Sequence, residues 1–119
     1  MTVPSEILPM QIEVLYLEDC PNHPPTVERI HAVLREEGYR ADVREVLVPD
    51  VSTAERVKFL GSPTVRVNGI DIEPAAKDRR DFGLTCRCYA GGAPSHELIG
   101  AAVRSASNDE VSWTSNRRT

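Results

Sequence analysis

The feature that most constrains this chain is a turn that leads directly into a short strand and then into a hairpin. Residues 61–63 (Gly-Ser-Pro) form the turn, residues 64–67 form a β-branched strand, and residues 68–69 are Asn-Gly. A proline has no N–H to donate to a ladder, so Pro63 belongs at the first position of a strand or at a bulge. Asn-Gly between two apolar runs is the strongest short-range hairpin signal. The segment therefore predicts a hairpin whose first strand is entered through a proline turn.

The Ser62–Pro63 peptide bond supports a further hypothesis. If this bond is cis, the kink leaves the backbone polar groups of Ser62 pointing outward, where an extended partner can reach them. Upstream, Cys20 closes another predicted strand. The functional question is whether these two strand ends meet.

Hydrophobic periodicity predicts alternating strands and helices along the rest of the chain. Residues 11–17 are typical of a central strand, and residues 26–37 carry one apolar stripe at helical spacing. Gly38 is the expected C-terminal stop of that helix. The remaining elements are a strand at 40–48, a short helix opened by a capping box from Ser52 to Glu55, strands at 64–67 and 70–72, an irregular loop over 74–92 and a last helix from 97 to about 105.

This order, βαβαββα, predicts an α/β fold with a central mixed four-stranded sheet and flanking helices. A right-handed βαβ crossover makes the first two strands parallel, and the hairpin makes the last two antiparallel. We expect a flexible N-terminal tail over residues 1–10 and one domain over 11–106. Residues 107–119 are polar and mixed in charge, which predicts a disordered C-terminal tail.

Composition limits the possible partners. The formal net charge of −4 argues against nucleic acid, and no apolar run is long enough for a membrane span. The first ten residues lack the basic start and apolar region of a secretory signal. With three cysteines, an odd number, and no export signal, a reducing, cytoplasmic compartment is expected. Nucleotide, zinc-finger and hydrolase signatures are absent, so we expect no cofactor.

Cys20 is the leading candidate for a reactive group. It follows the first strand and precedes a helix, whose N-terminus favours the thiolate. Glu18 and Asp19 oppose this effect, because they raise the free energy of another negative charge. His23 could pair with the thiolate as an imidazolium, or relay a proton or bind a metal as a neutral ring.

The predicted topology brings a second thiol within reach of Cys20. The loop after residue 72 emerges at the same sheet edge, and its length lets Cys86 or Cys88 approach that edge. In an extended segment the two side chains of Cys86 and Cys88 point to opposite faces. A meeting of Cys20 with either thiol is permitted by the topology and not required by it.

These pieces resemble the thioredoxin superfamily over about residues 11–105. The matching motifs are residues 20–23 (Cys-Pro-Asn-His) at a strand-to-helix junction and residues 62–64 (Ser-Pro-Thr) before the hairpin. The chain departs from the dithiol members because His23 stands where their second cysteine lies. Residues 60–69, residues 81–86 and the early Cys-Pro-Asn-His-Pro run look like a small group of thioredoxin-like proteins that are labelled glutaredoxin-like or alkylmercury lyase-like.

The resemblance implies a thiol redox protein that acts on a small thiol or a protein disulfide. Cys20 would be the nucleophile, Cys86 would resolve the mixed disulfide and Cys88 would be a spare thiol. The groove would be lined by Ser62, Pro63 and Thr64. An anionic thiol such as glutathione could be attracted by the arginines on the loop side, Arg66, Arg79, Arg80 and Arg87.

Two other functions remain open at this stage. As the alkylmercury lyase label implies, two of Cys20, Cys86 and Cys88 could bind a soft metal such as mercury, with Asp19 or Asp81 as the acid. Alternatively, the groove could be a non-enzymatic module that binds a protein partner or dimerises. The sequence leaves the oligomeric state open.

Overall fold

The computed structural model describes residues 10–87, 89 and 92–118, and the side chains of this range as far as residue 107. In chain order the elements are β1 (Met10–Tyr16), α1 (His23–Glu37), β2 (Ala41–Leu47), α2 (Val51–Arg56), β3 (Thr64–Val67), β4 (Ile70–Asp71), a 3-10 helix (Pro74–Asp78) and α3 (His96–Arg118). The predicted N-terminal tail lies outside the described residues except for Met10, which opens β1.

The four strands form one mixed sheet in the order β2-β1-β3-β4. β1 is parallel to β2 and antiparallel to β3, and β3 is antiparallel to β4. The predicted α/β class, with a mixed four-stranded sheet and flanking helices, is confirmed. Because β1 and β3 run in opposite directions, the C-terminal end of β1 lies beside the N-terminal end of β3, with Leu15 opposite Thr64.

Each face of the sheet is covered by different helices. On one face, α1 and α3 pack on the apolar side chains of β1 and β3 around Val14, Ile30 and Ile99, all of which are fully buried. On the other face a smaller cluster joins Leu15, Val48, Ala54 and Phe59. Both faces of β1 are therefore packed, since Val14 and Leu15 belong to different clusters.

The predicted hairpin is present, and its Asn-Gly pair explains the geometry. Asn68 has φ +52° and Gly69 has φ +85°, and this left-handed pair matches the twist of the flanking strands. The Asn68 side chain also accepts a hydrogen bond from the N–H of Gln11 at 2.8 Å. The turn is thereby tied to β1 as well as to its own strands.

Two helix beginnings differ from the sequence prediction. α1 begins at His23, three residues before the predicted start, because the two prolines occupy its first turn. α2 is capped by Asp50, whose carboxylate accepts the N–H of Thr53 at 2.8 Å. The predicted cap, Ser52, lies two residues later, inside the helix. The end of α1 agrees with the prediction, since Gly38 adopts φ +79° and donates to the carbonyl of Leu34.

The C-terminal part differs more. α3 continues to Arg118, past the predicted end near residue 105 and through the segment that was predicted to be disordered. The sequence after Gly100 contains neither glycine nor proline, so no strong helix breaker interrupts the helix there. No helix in the described part of the chain has the length and apolar character needed to cross a membrane.

Candidate functional site

Cys20 lies in a tight turn between β1 and α1. Its N–H donates to the carbonyl of Leu17 at 3.2 Å, and its own carbonyl accepts the N–H of His23 at 3.2 Å. Asp19 inside this turn has φ +64°, a conformation that aspartate tolerates better than most residues. The Cys20 side chain is half-buried. The turn thus places Cys20 three residues before His23, the first residue of α1.

The segment of residues 62–64 lies beside this turn and is almost entirely buried. The Ser62–Pro63 peptide bond is cis. Ser62 is 1% exposed and Thr64 is fully buried. The hydroxyl oxygen of Ser62 accepts the N–H of Leu17 at 3.0 Å, and the Thr64 hydroxyl donates to the carbonyl of Gly61 at 2.6 Å. These side chains stabilise the turn and do not face solvent.

A second segment pairs with Ser62, and we call residues 85–87 the strap. The N–H of Ser62 donates to the carbonyl of Thr85 at 2.8 Å, and the N–H of Arg87 donates to the carbonyl of Ser62 at 2.9 Å. Cys86 therefore forms a parallel bridge with Ser62, and its side chain is exposed. The expectation that the Ser62 backbone is open to an extended partner was wrong, because the chain itself occupies both polar groups.

The strap is held by Arg87, whose side chain is only 4% exposed. Its guanidinium donates two hydrogen bonds of 2.8 Å to the two carboxylate oxygens of Asp71 and one of 2.6 Å to Glu73. Burial alone would lower the pKa of Arg87, but the hydrogen bonds that it donates to the carboxylates outweigh this effect, and the pKa is raised. Arg87 is therefore a permanently charged, buried anchor.

Tyr89 continues this anchor. Its hydroxyl donates to the carbonyl of Pro63 at 2.8 Å, and its ring centroid lies 5.0 Å from the guanidinium carbon of Arg87, a cation–π distance. Burial raises the pKa of Tyr89, against the opposing effect of the Arg87 charge. The hydroxyl thus stays protonated and keeps donating to the turn at Pro63.

Residues that follow the strap contact the start of α1. A Cβ placed on Gly92 would lie 3.4 Å from the side-chain oxygen of Asn22, two residues after Cys20. Nearby, the Arg29 side chain donates to the carbonyl of Pro94 at 2.9 Å. One loop thus contacts both the Ser62 turn and the start of α1. Cys88 lies outside the described residues.

His23 points to β2. Its ring stacks on Tyr16 with centroids 3.7 Å apart, and Nε2 lies 2.7 Å from a carboxylate oxygen of Glu45. Among the described residues, no hydrogen bond joins His23 to the Cys20 thiol. Leu17, in the turn before Cys20, and Cys86 each contact Ser62, whereas the ring of His23 is held by Glu45.

The predicted attraction of an anionic thiol by arginines is not supported. Arg87 is buried, Arg79 is paired with Asp81 at 2.6 Å, and Arg66 donates to the backbone carbonyls of Val57 and Lys58 at 2.8 Å. Arg80 donates to the carbonyl of Arg79 at 3.1 Å. These groups serve internal contacts.

Sequence reasoning missed the anchor of the strap. A signal was present, since Asp71 and Glu73 alternate around the buried Ile72 and therefore place two carboxylates on one side of an extended segment. Only the fold shows that Arg87 is their partner. Within the described part of the chain, no group of three or more histidine, cysteine or acidic side chains is arranged for a metal ion.

No family model, no curated protein and no solved structure matches this chain.

Proposed function

We propose that this protein is a thiol redox protein with a thioredoxin-like arrangement, in which Cys20 is the nucleophile and Cys86 is the resolving thiol. The sheet order β2-β1-β3-β4, the cis bond at Pro63 beside the end of β1 and the position of Cys20 before α1 support this proposal. His23 is not included, because its ring is held by Glu45.

One observation carries the proposal. Ser62 joins the two cysteine-bearing segments: its hydroxyl accepts the N–H of Leu17, in the turn that ends at Cys20, and its backbone brackets Cys86. Cys86 is exposed and Cys20 is half-buried. The shared serine keeps the two cysteine-bearing loops next to each other, and a resolving reaction requires the Cys86 sulfur to reach the Cys20 sulfur.

The chemistry follows from the thiolate of Cys20. Cys20 precedes α1, whose first turn contains no acidic side chain, and the reactive form of a cysteine in thiol–disulfide exchange is the thiolate. The thiolate attacks a disulfide RSSR, forms a mixed disulfide with one half and releases the other half as a thiolate that takes up a proton.

Cys86 completes the turnover. Its thiolate attacks the Cys20 sulfur of the mixed disulfide, which forms a Cys20–Cys86 disulfide and releases the second RSH. The substrate gains two electrons and two protons, and the protein loses them. A low-molecular-weight thiol reductant returns the protein disulfide to the dithiol and is itself oxidised to a disulfide.

The experiment measures disulfide reduction by single Cys→Ser variants with dithiothreitol as the reductant. We expect Cys20→Ser to lower the rate to that of dithiothreitol alone. In a single turnover of the reduced protein without dithiothreitol, we expect Cys86→Ser to accumulate a mixed disulfide that mass spectrometry finds on Cys20. The matched control is Cys88→Ser, which keeps both proposed thiols. Full activity of the Cys20→Ser variant refutes the proposal.

The organomercurial alternative is less well supported. It requires an acid that protonates a departing carbon, and Asp81 is a poor candidate because the hydrogen bond from Arg79 lowers the pKa of its carboxyl group. A non-enzymatic docking module is also less well supported, since the backbone of Ser62 is already paired. If Cys20→Ala leaves every measured thiol reaction unchanged, the docking module becomes the better explanation.

A further inference from the structure

We propose that the strap, residues 85–87, closes the peptide-binding edge at Ser62, so that Cys20 acts on small disulfides and not on disulfides in extended polypeptides. This inference rests on the proposed redox function and names the substrate class of that site. It also gives Arg87 the role of a positioning residue for the strap.

The argument begins with the hydrogen-bonding capacity of Ser62. An extended peptide that adds to a sheet edge needs a free backbone N–H and a free carbonyl on that edge. The Ser62 N–H is bound to Thr85 at 2.8 Å, and its carbonyl accepts the N–H of Arg87 at 2.9 Å. A polypeptide substrate would have to remove the strap before it could make the same two bonds.

The strap is fixed firmly enough to resist such removal. Arg87 is bound by two carboxylates and is almost completely buried. Lifting the strap separates a buried ion pair and leaves the carboxylate of Asp71 without its partner, which is strongly unfavourable. Before the strap, Gly83 donates to the carbonyl of Phe59 at 3.2 Å, and after it Tyr89 is bound to Pro63. The strap is therefore anchored on both sides.

The close fit at Gly61 supports the same conclusion. This residue has φ +119°, and a Cβ placed there would lie 2.9 Å from the Cβ of Arg87. The turn before Pro63 therefore accommodates the strap only because residue 61 has no side chain. Gly61 and Arg87 are therefore packed directly against each other.

A small disulfide does not meet this obstacle. It needs only to reach the sulfur of Cys20, which is half-buried, and to leave room for the exposed thiol of Cys86. No backbone pairing with Ser62 is involved. The strap thus holds the resolving thiol at the edge and excludes peptide backbone from it at the same time.

The first arm of the test is hydrogen exchange of the reduced protein, which does not depend on redox activity. We expect the amides of Ser62 and Arg87 to be protected in the wild type. In Arg87→Ala, the Ser62 amide should exchange about tenfold faster or more, since opening of the strap controls its exposure. The matched control is Arg79→Ala, which removes an exposed arginine from an ion pair at the surface. Unprotected amides at both positions in the wild type overturn the inference.

The second arm compares two substrates, bis(2-hydroxyethyl) disulfide and a disulfide between two copies of a short unstructured peptide. We expect the wild type and Arg79→Ala to reduce the small disulfide about tenfold faster or more, the preference that two displaced backbone hydrogen bonds give. Arg87→Ala should reduce this preference severalfold. If that variant does not fold, Asp71→Asn keeps the shape of the anchor, weakens its charge and should shift the preference in the same direction.

The outcomes separate the inference from the proposed function. Equal rates with the two substrates in the wild type, with a protected Ser62 amide, overturn the substrate class and leave the redox function in place. Unchanged reduction of both disulfides in Cys20→Ser overturns the redox function, while the hydrogen exchange still reports on the strap. The inference is also overturned if Arg87→Ala and Asp71→Asn speed up exchange of the Ser62 amide but leave the preference for the small disulfide unaltered.

Discussion

Removal of the Arg87 side chain should destabilise this protein far more than removal of any arginine at its surface. Arg87 is 4% exposed and Asp71 is 12% exposed, and two hydrogen bonds of 2.8 Å join them. Breaking a buried pair by removing one partner costs about 3–5 kcal/mol. Because Glu73 is 39% exposed, water compensates for part of its loss. We therefore expect Arg87→Ala to lower the free energy of unfolding by about 3 kcal/mol, the lower end of that range.

A double-mutant cycle isolates the ion pair from the loss of packing. The proteins are the wild type, Arg87→Ala, Asp71→Ala and the double variant, all unfolded in urea under reducing conditions so that no disulfide contributes. Charged hydrogen bonds are worth about 1.5–3 kcal/mol, so we expect a coupling energy of about 2 kcal/mol. The control is Arg79→Ala, whose free energy of unfolding should equal that of the wild type within error.

The reasoning is refuted if Arg87→Ala and Arg79→Ala unfold at the same urea concentration. A coupling energy near zero would show that Arg87 acts through packing alone. Either result would remove the physical basis for the anchored strap.

Gly61→Ala should lower the free energy of unfolding by about 1–3 kcal/mol, because φ is +119° and the new Cβ meets Arg87. The control Gly69→Ala, where φ is +85° and no atom lies within 4 Å of the new Cβ, should lower it less. Equal losses in urea unfolding would contradict the close approach at Gly61. Above pH 10, the ordinary pKa of tyrosine, Tyr89 loses its proton in the unfolded chain but keeps it in the folded protein, where its pKa is raised. The free energy of unfolding should therefore fall by up to about 1.4 kcal/mol per pH unit. That slope should be smaller in Tyr89→Phe, and an identical slope would be the contrary result. His23→Phe, which keeps a ring for stacking, should leave the pH profile of Cys20 alkylation unchanged, and a shifted profile would mean that the histidine acts on the thiol after all.

The frame of the fold could be predicted from the sequence because local signals determine it. Asn68-Gly69 has one favoured turn, Gly38 ends a helix in the left-handed region, and the apolar pattern of residues 11–17 identifies a central strand. These features require only neighbours in the chain. The parallel direction of the first two strands then follows from the crossover, and the antiparallel direction of the last two from the hairpin.

The strap could not be predicted in the same way, because its contacts join residues that are distant in sequence. Arg87 is 16 residues from Asp71 and 23 from Thr64, and nothing in the local sequence distinguishes it from a solvated arginine. The sequence likewise predicts a Ser62 backbone that is open to an extended partner, because it does not show that residues 85–87 of the same chain bind there. His23 was interpreted through its distance in sequence from Cys20, whereas Tyr16 and Glu45 on the sheet determine where its ring lies.

The length of α3 illustrates another limit. Polar composition predicted disorder after residue 106, yet helical backbone continues to Arg118. Amino-acid composition indicates whether a segment can bury apolar surface. It does not determine the residue at which a helix such as α3 ends. Propagation adds a hydrogen bond for each residue fixed, so a chain without glycine or proline can continue the helix.

The most direct test of the account is a redox titration of a Cys88→Ser protein in glutathione buffers, with the products mapped as peptides. The account predicts one two-electron couple and a single oxidised species in which Cys20 is joined to Cys86. If Cys20 and Cys86 instead become glutathionylated independently and no joined peptide forms at any potential, the two thiols do not act together and the central claim is contradicted.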